Sequence, residues 1–152
     1  MTQTTDKFSM AATKVEVSTD GSSWTDISGQ AQKVESTAQI RKSGEAYTFD
    51  GDTALVCGGK REPIEVTVTI IYNEESDEAF DLARAEFEAD DGDAYYVKWT
   101  PGGGTGGDYT YSTGAGEIVS FKYPDGDAGS GDPVICEFTI KTAELTVSSV
   151  AT

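Results

Sequence analysis

The sequence contains no histidine, and cationic residues are scarce, since 11 Lys and Arg stand against 27 Asp and Glu. Without histidine the chain cannot build Ser-His-Asp or Cys-His catalytic sites, HExxH zinc sites or an imidazole pH switch. The formal charge of −16 opposes nucleic-acid binding, which depends on cationic side chains. We therefore expect no enzymatic activity and no cofactor.

Long apolar runs, metal-binding cysteine motifs and targeting signals are also missing. No segment approaches the roughly 20 consecutive apolar residues that a membrane helix needs. The first residues lack the cationic start and apolar run of a signal peptide, so we expect synthesis in the cytoplasm and no membrane binding. Cys57 and Cys136 each lie in an apolar strand pattern, which predicts two reduced thiols in the core.

Alternation of apolar and polar residues with period two runs through the 152 residues, whose number suits one domain, 1–152. In the clearest strand, 62–72, the apolar positions are Ile64, Val66, Val68, Ile70 and Tyr72. The polar positions between them are Glu65, Thr67 and Thr69, and Ile71 interrupts this polar face. Further strands are predicted at 14–18, 33–40, 95–99, 117–123 and 134–147.

The last of these strands changes phase near Thr142. Cys136, Phe138 and Ile140 occupy even positions, whereas Leu145 and Val147 occupy odd ones. A slip of one residue would turn every side chain to the other face, so we expect a bulge or break there.

One segment, about residues 77–89, has helical periodicity, with Ser76 as its candidate N-cap. Its apolar stripe consists of Ala79, Phe80, Leu82, Ala83 and Phe87. The pattern as a whole predicts a mainly β protein, an antiparallel sandwich or barrel-like fold with one flanking α-helix.

Two Gly-rich loops are predicted at 101–116 and 124–133, and the chain contains Gly- and Asp-rich motifs that resemble binding sites. Residues 102–107 satisfy GxGxxG, but no helical pattern follows, so a surface loop is favoured over a dinucleotide site. The Asp-Gly clusters at 50–52, 90–93 and 125–127 lack the EF-hand spacing and resemble tight turns, although Ca²⁺ binding stays open as an alternative.

Several segments resemble one known family. The stretch KVEVSTDGSSWTDI, 14–27, is similar to the first hairpin of the major tail tube proteins of long-tailed bacteriophages. The stretch GKREPIEVTVTIIY, 59–72, resembles the strand before the single helix of that family, which shares its fold with type VI secretion tube proteins. A strand ending in KWTP at 98–101 and the segment GEIVSFKY at 116–123 follow in the expected order.

This resemblance implies a structural subunit that forms hexameric rings, which stack into a hollow conduit for genome DNA in a virion tail assembled in the bacterial host cytoplasm. It implies partners such as tape measure, terminator and distal tail proteins, with DNA passing through unbound. Residues 1–12 correspond to an N-terminal arm and residues 148–152 to a C-terminal tail. Residues 41–61 match the long loop that grips the next ring, with candidate residues Lys42, Glu45, Tyr47, Asp50, Lys60 and Arg61.

A tube wall one sheet thick needs a wet inner face, and the alternation offers two polar rows for it. The candidate channel-lining residues are Glu65, Thr67, Thr69, Glu137, Thr139 and Lys141. The alternative function is a carbohydrate- or surface-binding β-sandwich module, such as a virion decoration or adhesin domain, because exposed aromatic residues on such strands can stack on sugars.

Overall fold

Two antiparallel β-sheets face each other across an apolar core in the computed structural model, which describes residues 2–5, 7–89 and 92–152. In chain order the strands are β1 (Lys14–Ser18), β2 (Thr25–Asp26), β3 (Ala31–Ser36), β4 (Arg41–Ala46), β5 (Leu55–Arg61), β6 (Ile64–Ile71), β7 (Tyr96–Thr100), β8 (Tyr109–Thr113), β9 (Glu117–Lys122), β10 (Ile135–Thr142) and β11 (Leu145–Ser149). One α-helix, α1 (Ala79–Ala89), lies between β6 and β7, and a short 3₁₀ turn spans Met10–Ala12.

The sandwich consists of a five-stranded and a four-stranded sheet. The five-stranded sheet has the order β11-β8-β7-β1-β2, and the four-stranded sheet has the order β3-β6-β10-β9. The chain crosses between them at 143–144, where β10 ends in one sheet and β11 begins in the other. The predicted break near Thr142 is therefore confirmed, and it changes the sheet as well as the phase.

Alternation places the core side chains, because successive residues of a strand point to opposite faces. Val15, Val17 and Val97 from the five-stranded sheet meet the four-stranded sheet across the core. The four-stranded sheet buries Ile64, Val66, Val68, Ile70, Cys136, Phe138 and Ile140. The predicted inward faces of the 62–72 and 134–142 segments are confirmed.

Helix α1 closes the flank of this core next to β6 and β9. It buries Ala79, Phe80 and Ala83, while Leu82 and Phe87 are half-buried, and the Phe87 ring stacks on Phe121 at 5.5 Å. The helix begins two residues later than predicted, and Ser76 is not its N-cap. Asp77 has a φ of 63°, so the chain turns sharply before the first helical residue.

Two further expectations are wrong. Residues 41–61 are not a loop, because β4 and β5 pair there as a separate two-stranded hairpin. Cys57 lies in that hairpin and is exposed, whereas Cys136 is buried as expected. The predicted mainly β, antiparallel sandwich with one helix is confirmed, and in the described part of the chain its sheets remain open and form no closed barrel.

Smaller corrections concern the ends of elements. The predicted loop 101–116 contains the strand β8, so residues 101–108 and 114–116 lie outside the strands, and the predicted tail 148–152 begins inside β11. The predicted strand 33–40 ends at Ser36, and Ala38 and Ile40 lie exposed beyond it. No helix among the described residues is long and apolar enough to cross a membrane.

Candidate functional site

The two predicted polar rows lie side by side on the outer face of the four-stranded sheet. Register pairs Thr69 with Glu137, Thr67 with Thr139, and Glu65 with Lys141. The Thr67 and Thr139 hydroxyl oxygens are hydrogen-bonded at 2.9 Å. The six candidate channel-lining residues therefore form one continuous surface.

Flanking strands extend this surface with charges of both signs. On β3, Lys33 lies beside Thr69 and Glu35 beside Thr67, and these two side chains form an ion pair at 2.8 Å. On β9, Lys122 faces Glu137 and Glu117 faces Lys141. Three lysines and four glutamates share the face, which is nearly neutral on a chain of net charge −16.

Nothing in the described chain covers this face. Glu65, Glu137 and Lys141 are exposed, and the threonines between them are half-buried only by their neighbours in the sheet. The helix packs on the core side, where Phe80 and Ala83 belong to the same cluster as Val68. The outer face is thus free to meet water or a partner.

The second feature is the hairpin of β4 and β5, here called the arm (residues 41–61). Every residue of the arm except Ala54 is exposed, and among the described elements each of its strands packs principally on the other. The predicted loop residues Lys42, Glu45, Tyr47, Asp50, Lys60 and Arg61 all lie on it. The structure therefore brings the ring-stacking candidates together on one projecting element.

Cations concentrate at the base of the arm. Arg41 lies directly opposite Arg61 in the register, an arrangement of like charges that destabilises a strand pair. The Arg41 guanidinium donates to the Gly59 carbonyl at 3.0 Å, and Arg61 forms an ion pair with Glu144 at 3.1 Å. With Lys42 and Lys60, this base carries four of the eleven cations of the chain.

Apolar side chains of the arm also stand in water. Phe49 is fully exposed, and the exposed fractions of Tyr47 and Val56 are 73% and 72%. Leu55 is exposed as well. A single exposed apolar residue is ordinary, but several on one thin hairpin mark an interaction surface. The signal in the sequence was the pair of short apolar pieces at 47–49 and 54–57.

A third surface lies at the end of the four-stranded sheet where β6 finishes and β10 begins, here called the far end. Ile71 pairs with Ile135 there, and Tyr123, Val134 and Ile135 are exposed. Beside them is an open depression of about 200 Å³, lined by Lys122, Asp125, Gly126, Asp127, Ser130, Asp132, Pro133, Val134 and Ile135. Sequence reasoning missed this surface, although Ile71 had already interrupted the polar face.

The Gly-rich segment 101–108 holds the end of the last strand. The Gly107 amide donates to the Val150 carbonyl at 2.9 Å, and the Val150 amide donates to the Asp108 carbonyl at 2.8 Å. The Asp108 carboxylate accepts from the Gly104 and Thr105 amides. Strand β8 follows instead of a helix, so the dinucleotide context of GxGxxG is missing here.

The buried ionisable groups have structural explanations. Burial raises the pKa of Tyr95, whose hydroxyl has no hydrogen-bond partner among the described residues and whose ring packs against Phe138. Burial also raises the pKa of the Cys136 thiol. Within residues 2–5, 7–89 and 92–152, no group of three or more acidic or cysteine side chains could hold a metal ion. Asp90 and Asp91 of the Asp-Gly cluster at 90–93, for which Ca²⁺ binding is the alternative, lie outside the described residues.

Comparison with known proteins gives results at the level of structure only. No protein-family model matches the chain. No curated protein matches it in sequence either.

Solved structures match over nearly the whole chain. One is a chain of the sheath–tube complex of an extracellular contractile injection system in its extended state, with a TM-score of 0.75 and 14% identity over 95% of this chain and 93% of that one. A second is from the SPP1 tail tube, with a TM-score of 0.68 and 14% identity over 96% of this chain and 81% of that one.

A third match comes from the tail of an empty gene transfer agent particle refined with C6 symmetry, with a TM-score of 0.61 and 10% identity over 91% of this chain and 95% of that one. At these identities the likeness is one of fold. The fold implied by the resemblance to tail tube proteins is confirmed.

Proposed function

We propose that this protein is the structural subunit of a phage tail tube, forming hexameric rings that stack into a hollow conduit for DNA. The observation that carries the proposal is the arm, a hairpin with exposed apolar side chains and little contact with its own domain. Such an element is costly in a monomer and is useful as a joint between copies. The fold shared with chains of tail and tube assemblies agrees with this role.

Ring closure follows from the edges of the four-stranded sheet. Strands β3 and β9 are its two edges, and each contains six residues. An edge strand presents unpaired amide and carbonyl groups, which a neighbouring copy can satisfy. If β3 of one subunit pairs with β9 of the next, the sheets join into one continuous wall, and a closed ring leaves no edge. The C6 symmetry of the matched gene transfer agent tail supports a ring of six.

In such a ring the outer face of the four-stranded sheet lines the channel. Its three threonines and nearly balanced charges give phosphate no concentrated cationic site to bind. Lys141, the residue most able to hold phosphate, lies between Glu65 and Glu117 in the register. DNA would therefore pass without being retained.

The location and partners follow from the same role. The subunit would be part of a virion tail assembled in the host cytoplasm, and it would contact tape measure, terminator and distal tail proteins. A structural wall needs no catalysis and no cofactor, which agrees with the lack of histidine.

Negative-stain electron microscopy of the purified protein tests the proposal. Rings or tubes with a central hole are expected, and class averages should have sixfold symmetry. Monomers that remain dispersed at high concentration and bind a glycan array would instead favour the carbohydrate-binding module.

A further inference from the structure

The four-stranded sheet has two chemically different ends. The arm leaves the end where β6 begins and β10 finishes, because the Glu62 amide donates to the Ile40 carbonyl beside Ile64. The far end is where β6 finishes and β10 begins, with Ile71 opposite Ile135. The two ends are separated by the full length of eight-residue strands, on the order of 25 Å.

Acidic residues collect at the far end. The segment after β6, residues 72–78, contains four acidic residues and no Lys or Arg. The loop between β9 and β10, residues 123–133, contains three aspartates and likewise no Lys or Arg. Asp125 and Asp132 line the depression described above, and Lys122 is the cation beside them, 3.6 Å from Asp125.

The arm has the complementary character. Its four cations at the base stand against three acidic residues, Glu45, Asp50 and Asp52, so the arm is slightly positive on a strongly negative chain. Like charges are placed opposite each other at Arg41 and Arg61, which local stability does not favour. Such a cluster is stabilised when acidic groups from another molecule approach it.

Apolar surface is also matched between the two ends. The arm exposes Tyr47, Phe49, Leu55 and Val56, and the far end exposes Tyr123, Val134 and Ile135. Acidic residues rim the apolar set at the far end, whereas on the arm Glu45, Asp50 and Asp52 lie beside the apolar set and the four cations lie at the base. An apolar centre with a charged rim is the usual composition of a protein interface.

We infer that the far end, at Tyr123, Val134, Ile135 and the aspartates of 125–132, is the surface on which the arm of a second copy docks in the next ring. The inference rests on the proposed function and deepens it by naming the receptor. Because arm and receptor lie at opposite ends of one sheet, the contact is head-to-tail and repeats without limit along the axis. Ring stacking and ring closure then use different surfaces.

A charge-reversal cycle tests the pairing. Lys42→Glu with Lys60→Glu, and separately Asp125→Lys with Asp132→Lys, should each reduce the sedimentable tube fraction about tenfold or more, because each places like charges in contact. Asp127 is left intact, since its carboxylate accepts from the Gly129 amide within the loop. The four substitutions together should restore assembly to within about threefold of the original chain.

The matched control adds positive charge elsewhere. Ser22→Lys with Ser23→Lys changes the exposed turn between β1 and β2 and should leave the tube fraction unchanged. If the variant with all four substitutions assembles no better than the worse of the two double variants, the inference is overturned. In that case, tubes formed by the original chain still support the proposed function. An original chain that never assembles overturns both.

The exposed Cys57 on the arm offers a direct measurement of proximity. With a short bis-maleimide reagent, Ser130→Cys and Val134→Cys chains in tubes should give cross-linked ladders that Cys57→Ser abolishes. Ser148→Cys, on the five-stranded sheet, is the control and should give no ladder. Cys136 is buried and does not compete. Assembled tubes without cross-links at either far-end position would show that the arm docks elsewhere.

Discussion

Asp20 holds the turn between β1 and β2 through its carboxylate. This group accepts hydrogen bonds from the Ser22 and Ser23 amides at 2.8 Å and from the Ser18 hydroxyl at 2.9 Å. These donors favour the charged form, so the pKa of Asp20 lies well below its usual value. Gly21, with a φ of 79°, supplies the backbone conformation that the turn requires.

The depressed pKa of Asp20 gives a pH dependence with a definite sign. Because the pKa is lower in the folded than in the unfolded chain, its contribution to stability is complete above about pH 4 and is lost as the pH falls toward the folded pKa. Asp20→Asn should therefore lose less stability than the original chain between pH 6 and pH 3. Urea unfolding at both pH values measures this, with Asp52→Asn in the arm as the control for net charge.

Two phenylalanines distinguish core packing from flank packing. Phe138 is 1% exposed and contacts Tyr95, so Phe138→Ala should lower the free energy of unfolding by about 3–5 kcal/mol. Phe87 is half-buried against Phe121, so Phe87→Ala should cost about 1–2.5 kcal/mol, because part of its ring is already in water. Equal losses in urea unfolding would contradict this placement of the helix.

The arm is an element that can be removed without touching the core. Replacing residues 43–59 by Asn-Gly should give a folded chain with an unchanged unfolding midpoint, since these residues bury almost nothing. The same chain should form no stacked tubes, although single rings can still close through β3 and β9. Circular dichroism tests whether the chain still folds with the same midpoint, and electron microscopy tests whether stacked tubes form. Normal tubes would contradict the role of the arm.

Strands with apolar core faces could be predicted from the sequence, and strands without them could not. β1, β6 and β10 were located to within about two residues, because buried Val, Ile and Phe alternate along them. β4 and β5 bury nothing, so no periodic pattern marks them. β8 buries Thr110 and Thr113, so its inward face is polar and no apolar alternation marks it. The Thr113 hydroxyl accepts from the Val97 amide at 3.0 Å.

At the scale of the molecule, one part of the candidate site could be predicted from the sequence and another part could not. The polar rows on β6 and β10 follow from alternation, and the structure shows them paired on one face. The far end could not be predicted, because it is formed by residues from three parts of the chain, and only strand register shows that Ile71, Tyr123 and Val134 lie at one end. A single sequence does not show which strands pair or in which register they pair.

If the outer face of the four-stranded sheet lines the channel as proposed, its charge acts through the whole assembly. Glu65 is exposed and lies between Lys141 and Thr37 on the outer face, so Glu65→Lys should leave folding unchanged. In a ring of six it adds a belt of cations, which should slow DNA release at low salt and do so less as salt rises. Release measured by dye uptake tests this, with Ser148→Lys on the other sheet as control. Equal release from both variants would contradict the assignment of the channel face.

The crossing at 143–144 has a mechanical consequence. Two residues join the central strand β10 of one sheet to the edge strand β11 of the other, and Glu144 within them binds Arg61 at the base of the arm. Because both side chains of this ion pair are about half exposed, the pair adds little to the covalent connection, and a pull on the arm reaches the four-stranded sheet through residues 40 and 62. In a column of such subunits, tension on the arm would enter the four-stranded sheet first and would reach the five-stranded sheet through the covalent junction at 143–144 and the apolar core.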